Sequence, residues 1–597
     1  MVPPTVPSRS WTLLLAAAGG LATDTAFPGK SWWPMAYVGI ALLLLALRRD
    51  SVPWGWFVGW VWGLGFFLPH LWWANHAVGE PIGWVALSLA EAAVVGCFGA
   101  AAVLVRRAPS IRGRPWAQVL AVAVLWVAAE QLRARWPFEG FPWGLLAFSQ
   151  TEAPLLRLAS VGSTVAVSGV VVVIGAALAH AVTRLRRLQV GGASAMVLVA
   201  AACTFGPWLI PLDTQPESGS LRVGAVQGGV PEAGADATYQ ARDVTANHAA
   251  GTEALLEEVA PGELDLVLWP ESSADIDPRT DPDVAQIVDQ AARAVEAPIL
   301  LGTQRYLQDP EDPEQRVRYN ELILWQAGSG AAEDLVYAKQ HPVPFGEYMP
   351  HRDFFRTFTE AVDLITVDMV AGDEMGLLKV PVERMDRAVP ISVGICFEVA
   401  YDQLIRESVV AGGELIVIPT NNASFGMTQE STQQLAMSRF RAVEHGRAVA
   451  QVSTVGVSGI ITPNGVYTDT TELWTAEQMV ETMPLRTSLT LADRLGQWPA
   501  LVTGALAALG VLAGVVGSLR RAGPGGGGAR TGGSSGGKRS GGSRRGPSGK
   551  PSRGSSSRGA GSRGKAAGRG SRGGGSRPKA SSPAPRTKTS GSRGRRR

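Results

Sequence analysis

Eight apolar runs constrain this chain more than any other feature. They cover residues 11–26, 32–47, 54–73, 82–105, 116–129, 158–182, 193–210 and 498–519. A helix needs roughly 20 apolar residues to cross the hydrocarbon core of a bilayer, within a range of about 17–25. The middle runs meet that length, while the first, second and fifth are marginal. Trp32, Trp33, Trp54, Trp72, Trp73, Trp116 and Trp498 stand near run ends, where amphipathic rings settle at the headgroup level. The first run, short and followed by small residues, also fits a cleaved signal peptide. Its removal would not change the side on which the rest lies.

Arginines give the expected orientation. Arg48 and Arg49 follow the second run, Arg106, Arg107, Arg112 and Arg114 the fourth, Arg184, Arg186 and Arg187 the sixth, and Arg520 and Arg521 the eighth. Basic clusters after every even run put both termini in the cytoplasm and the segment between runs seven and eight outside. Arg133 and Arg135, in an outer loop, break the pattern. Glu91 and Glu130 lie in or beside runs, where a charge is costly. An interhelical hydrogen bond is expected for Glu91 and a solvated position for Glu130.

Charge is unevenly distributed. The chain has 55 basic and 51 acidic residues, but 22 of the basic ones and none of the acidic ones fall from Arg520 onward. The body is therefore acidic, and the high pI gives no reason to expect a nucleic-acid partner. The tail, 520–597, is Gly, Ser, Arg, Lys and Pro, too poor in apolar groups to offset its ordering entropy, and is expected to be disordered and cytoplasmic. Only three cysteines occur. Cys97 and Cys203 sit in apolar runs and read as small buried hydrophobes. No CxxC pair, HExxH or Cys/His cluster appears, so neither a zinc site nor a disulfide framework is suggested, and the chemistry of a nucleophilic thiol requires no metal and no diffusible cofactor.

Between 220 and 490 the pattern changes. Short β-rich runs at 221–226, 264–269, 298–303, 321–325, 334–338, 388–395, 415–419 and 448–453 alternate with helical runs at 238–259, 284–295, 401–410 and 430–446. This predicts an α/β domain with sites at strand ends. Pro463-Asn464-Gly465 predicts a hairpin turn. Three chemically able residues stand at strand ends: Glu271, Lys339 and Cys396. A thiol near pKa 8.5 is mostly protonated at neutral pH. A carboxylate can take its proton, and an ammonium can hold the thiolate and the carbonyl oxygen it attacks. The product is a thioester, released by a second nucleophile. Cys396 with His341, a protease-like pair, is an alternative that spacing does not exclude.

Glu271 in WPES, Lys339 in YAKQHPVPFGEYMP and Cys396 in GICFE resemble the Glu-Lys-Cys triad of the nitrilase superfamily. With the apolar runs, HPVPFGEYMP and the Glu130-Gln131-Leu132-Arg133…Gly140-Phe141-Pro142-Trp143 segment, the chain is similar to the apolipoprotein N-acyltransferase family over about 10–519. The resemblance implies an αββα sandwich beside a polytopic helical membrane domain. The implied layout is a membrane domain at 1–212, an extracytoplasmic catalytic domain at 220–490, a final helix at 498–519 and the tail. It implies a plasma-membrane enzyme that moves an acyl chain from a phospholipid, through a Cys396 thioester, to the α-amino group of a diacylglyceryl-cysteine at a lipoprotein N-terminus. Glu271 would be the base and Lys339 the stabiliser of the intermediate. Glu347 and Glu398 match supporting acidic positions, and the Phe397 N–H would be an oxyanion donor. Phe397 stands where Tyr is common, and Thr420-Asn421-Asn422-Ala423-Ser424-Phe425-Gly426 lacks the Asp and Trp of the family's SNDAWFG.

Both implied substrates are lipids, which suits a thiol held just above the outer leaflet. Phe354, Phe355 and Phe358 are expected either to touch the bilayer or to pack in the domain core. A membrane-tethered amidase or nitrilase, passing the acyl group to water, would carry the same triad. A non-catalytic membrane scaffold is the remaining alternative.

Overall fold

The computed structural model describes residues 8–78, 81–230, 237–309 and 312–522. The residues from 523 on, and with them the expected disorder of the tail, lie outside the described residues.

All eight apolar runs are helical. In the N-terminal part they form α1 (Arg9–Asp24), α2 (Pro34–Ala46), α3 (Val52–His70), the short α4 (Trp73–Val78), α5 (Pro81–Val105), α6 (Pro115–Arg133), α7 (Ala159–Leu185) and α8 (Val190–Phe205). Four of these, α5 to α8, and the helix Trp498–Ala522 are long and apolar enough to cross a membrane. The fifth run, marginal by its apolar length, gains that reach because α6 continues to Arg133. By contrast α1 has 16 residues and α2 has 13. The membrane helices approach closely where side chains are small. A Cβ on Gly99 of α5 would lie 2.2 Å from the carbonyl oxygen of Gly55 on α3, so only glycine permits that contact.

Arg133 explains its own departure from the charge pattern. It is buried, 3.0 Å from Glu91 of α5, and donates to the carbonyls of Phe141 (2.9 Å) and Trp143 (2.8 Å). The interhelical bond expected of Glu91 is present. Glu130 is not solvated as expected. The chain after α6 folds back over it, and its carboxylate accepts the Leu146 N–H at 2.8 Å.

Two six-stranded sheets follow. One has β1 (Ser220–Gln227), β2 (Leu266–Leu268), β3 (Ile299–Gln308), β4 (Arg316–Gln326) and β5 (Gly330–Ala338). The other has β6 (Leu377–Val382), β7 (Arg387–Val393), β8 (Leu415–Thr420), β9 (Val449–Ser453), β10 (Gly459–Ile461) and β11 (Tyr467–Thr470). Last, β12 (Glu477–Pro484) returns to pair antiparallel with β1, giving orders β12-β1-β2-β3-β4-β5 and β11-β10-β9-β8-β7-β6. The central pairs are parallel, with Val267 opposite Ile299 and Ile391 opposite Leu415. The apolar inner faces meet through Leu221, Leu266 and Leu322 on one side and Val380, Ile391 and Val417 on the other.

Helices cover both outer faces. Against the first sheet lie α9 (Ala237–Ala254) and α10 (Pro282–Val295). Asp281 caps α10 by accepting the N–H groups of Asp283 and Val284, as an N-cap carboxylate should. Val284, Val288, Ala291 and Val295 then form one apolar stripe on the sheet. After the short α11 (Arg352–Arg356), α12 (Asp402–Val410) and α13 (Glu430–His445) cover the second sheet. The chain closes with α14 (Leu491–Leu495) and α15 (Trp498–Ala522). The layers are αββα. Leu404, Ile405, Phe440 and Val443 of α12 and α13 share one core with Trp143, Phe148 and Leu155 of the membrane part. For this reason α13 is buried on nearly every face.

The predicted strands all form. Two edge strands have no clear sequence signal. Pro381 interrupts β6, which an edge strand tolerates, and β12 buries little besides Met479 and Met483. The turn at Pro463-Asn464-Gly465 joins β10 to β11, with Gly465 at φ +80°.

Candidate active site

The three candidate residues leave different strands and converge. Glu271 follows β2, Lys339 follows β5, and Cys396 follows β7. Glu271 and Lys339 are 3.5 Å apart, and both act electrostatically on the Cys396 thiol. All three are buried. Cys396 sits at φ +56° and Ser272, next to Glu271, at φ +58°. Left-handed backbone at non-glycine residues is strained and gathers at functional sites. Behind Glu271 the sheet leaves no room, since a Cβ on Gly302 would come 2.7 Å from the Glu271 Cα.

Each side chain is fixed by named donors. Glu271 accepts from Asn320 Nδ2 at 2.5 Å and from the Asn421 N–H at 2.8 Å. The Asn320 carbonyl in turn accepts the Lys339 N–H at 2.9 Å. Lys339 Nζ donates to Glu347 Oε1 at 2.7 Å, and the other Glu347 oxygen accepts the Val343 N–H at 2.6 Å. Glu398 takes four donors: the Ile395 N–H (2.6 Å), Tyr337 Oη (2.9 Å), and the Gln340 (2.7 Å) and His341 (3.0 Å) N–H groups. It therefore ties the cysteine turn to the loop that leaves Lys339.

The electrostatics are unequal. Burial, then Glu271, push the Cys396 thiol well up, and Lys339 only partly offsets them. The thiol therefore rests protonated. Burial alone would lower Lys339, but Glu347 and Glu271 outweigh it and raise it, so the ammonium is held charged. A protonated thiol beside a carboxylate and a fixed cation can be deprotonated as it attacks a carbonyl.

The alternative partner, His341, is engaged elsewhere. Its Nδ1 lies 3.0 Å from Glu139, and its ring stacks on Tyr401 at 4.5 Å. The Phe397 ring stacks on Trp143 and Phe141. Phe354 and Phe358 are 59% and 67% exposed, so neither packs in the domain core. Phe355 meets Phe345 and, at the membrane-side loop, Phe138.

Sequence reasoning missed Asn320, Glu430 and Gln434. Gln434 Nε2 points at Cys396 Sγ (3.6 Å), while its Oε1 accepts from Thr420 (2.9 Å) and Asn422 (2.8 Å). Asn422, at the position where the expected motif has Asp, donates to Glu430 at 2.7 Å. A carboxyl group is thus present, supplied from α13. Burial lifts Glu430 to about 8, with Glu271 adding to the rise. The available signal was polar residues one helical turn apart in a segment flanked by apolar ones.

Residues 19–177 match the apolipoprotein N-acyltransferase N-terminal domain, and residues 222–488 match carbon-nitrogen hydrolase. An apolipoprotein N-acyltransferase of Mycolicibacterium smegmatis is 35% identical over 526 residues, covering 85% of each chain. The chain belongs to the apolipoprotein N-acyltransferase family. Another relative of that name, from Azotobacter vinelandii, is 30% identical over 76% of this chain and 86% of its own. Among solved structures, an amidase from Nesterenkonia sp. aligns at TM-score 0.33 and 16% identity over 48% of this chain and 97% of that one. As a family member the chain is a membrane acyltransferase on a nitrilase-like fold, a class the expectations had reached.

Proposed function

We propose that the chain transfers a fatty acyl group from a membrane phospholipid to the α-amino group of the N-terminal diacylglyceryl-cysteine of lipoproteins, through a thioester on Cys396. One observation carries this: a buried Glu-Lys-Cys cluster whose cysteine turn is stacked, through Phe397, on Trp143 of the loop that follows membrane helix α6. A site joined to the membrane part in this way suits a lipid ester, a substrate for which a free-standing hydrolase needs no such partner.

Glu271 takes the thiol proton as sulfur attacks the phospholipid ester carbonyl. Lys339 and the Phe397 N–H stabilise the resulting oxyanion. Collapse breaks the C–O bond, and Glu271 returns the proton to the departing alcohol, leaving a lysophospholipid and the thioester. The acceptor amine then attacks that carbonyl and gives its proton to Glu271. The C–S bond breaks and the thiol is reprotonated. Glu347 orients Lys339, and Glu398 holds the cysteine turn. Exposed Phe354 and Phe358 meet the bilayer. The arginine distribution supports a catalytic domain outside the plasma membrane with both termini in the cytoplasm.

The test is peptide mass spectrometry of the protein purified with phospholipid. A hydroxylamine-labile acyl group on Cys396, lost in Glu271→Ala, is expected. Its absence with ample lipid and no acceptor overturns the thioester route.

A further inference from the structure

The membrane helices border an open cavity of about 460 Å³ that no residue of the candidate active site lines. Arg48, Arg106, Arg184 and Arg187 line it, with Gln118 and His180. Apolar wall comes from Leu44 of α2, Val122 of α6 and Ala176 of α7, beside polar Thr183 and Gln189. These residues lie at the C-terminal ends of α2, α5 and α7 and toward the start of α6. The other end of α7 carries Ser163 and Thr164, which donate to Asp402 beneath the second sheet at 2.7 Å each. The cavity therefore sits at the end of α7 remote from the catalytic sheets.

Among the described residues, no ion pair joins Arg48, Arg184 or Arg187 to a carboxylate. The nearby acid, Asp50, pairs with Arg107 and Arg521 instead. Asp50 acts on Arg106 electrostatically without pairing with it. Arg106 is anchored by the Leu47 and Ala102 carbonyls, which hold its guanidinium in place. Burial, then Arg187 and Arg186, push the Arg48 guanidinium down. Four cations around one space repel one another until an anion enters, and planar guanidinium groups suit phosphate oxygens.

We propose that this cavity is a second lipid site, which holds the phosphate headgroup of an anionic phospholipid. The apolar wall continues from the basic mouth along helices that cross the bilayer, so acyl chains have a surface to follow. A free phosphate would leave that wall unused. The site does not depend on the acyl-transfer reading, because no residue is shared between them.

The test uses the full chain in nanodiscs with photoactivatable phosphatidylglycerol or phosphatidylcholine of identical acyl chains, followed by peptide mapping. Phosphatidylglycerol is expected to label peptides spanning 44–48 and 176–189 more than phosphatidylcholine does. That labelling should fall about thirty-fold in Arg184→Gln/Arg187→Gln, as loss of two basic contacts at about 1 kcal/mol each implies. It should persist in Arg112→Gln/Arg114→Gln, which removes two charges outside the cavity, and in millimolar inorganic phosphate. Equal labelling by the two lipids overturns the proposal without reference to any variant. Equal loss in both variant pairs assigns the effect to general surface charge and also overturns it. Displacement by inorganic phosphate makes the ligand a free anion, and the lipid site is then rejected.

Discussion

Phe397 and Trp143 lie face to face, with ring centroids 5.4 Å apart and planes within 5°. One follows the cysteine at the end of β7, and the other follows α6 in the membrane part. The Trp143 Nε1–H also donates to Gln433 of α13 at 2.7 Å. The turn that presents the thiol is thereby clamped to the membrane domain.

Breaking that clamp should cost stability cooperatively. Stacked aromatic pairs contribute about 0.5–1.5 kcal/mol beyond their buried area. Phe397→Ala and Trp143→Ala, singly and together, should show coupling of that size in a double-mutant cycle of detergent unfolding. Additive effects would show that the two rings act independently.

Removing the base should leave the fold and stop the chemistry. Glu271→Gln keeps an oxygen acceptor for one of Asn320 and the Asn421 N–H, turns a donor toward the other, and cannot take a proton. Transfer should fall by about 10²–10⁴-fold, far more than the modest fall in melting temperature that one lost hydrogen bond brings. Lysolipid release and acceptor acylation, measured separately, should fall together.

Glu430 should make stability depend on pH. Its folded value, about 8, lies above the ordinary 4.5. Between these values the folded state binds more protons than the unfolded state, so stability falls as pH rises across that window. Full benefit is present below about pH 4.5 and gone above about pH 8. Glu430→Gln should lose this slope, so its unfolding temperature relative to the parent rises from pH 5 to pH 8. Parallel pH profiles would refute the assignment.

Asn422→Asp restores the acid that the expected motif carries, yet it should be harmful here. Asn422 Nδ2 donates to both Glu430 and Gln434 Oε1. An aspartate cannot do so when ionised, and it faces a second carboxyl. A loss of about 1–3 kcal/mol is expected for the unsatisfied buried groups. Adding Glu430→Gln should recover part of it, since the amide can donate. Unfolding and transfer rates of the single and double variants test this.

Asp402 joins the two parts of the molecule. It accepts from Ser163 and Thr164 at the kink of α7 and pairs with Arg441 at 2.7 Å. Burial would raise its carboxyl, but Arg441 and Arg406 hold it well below the usual range. Asp402→Ala takes one of two carboxylates from the buried Arg441, which keeps Glu444, and leaves Ser163 and Thr164 without their acceptor, a loss of about 1–3 kcal/mol. A marked drop in unfolding temperature is expected, with Asp402→Asn intermediate.

Features that depend on near neighbours were legible in the chain alone. Apolar runs set all eight helices, alternation and strand-end position set the core strands, and local motifs singled out Glu271, Lys339 and Cys396. It could also relate Glu91 to an interhelical bond, because a charge inside a run has few other outlets. Only the tertiary structure decided the rest. Glu130 is dry because a loop folds over it, and Arg133 is internal because Glu91 lies across the helix pair. Asn320, Glu430 and Gln434 reach the site from 49, 159 and 38 residues away from Glu271 or Cys396 in sequence. The burial of Glu430 and Gln434 follows from α13 lying between a sheet and the membrane part, which removes the solvent face a sequence pattern assumes, while Asn320 is buried on β4. Local patterning fixes the elements, but only packing between distant segments fixes which polar groups lose water, and therefore which ones act on the thiol.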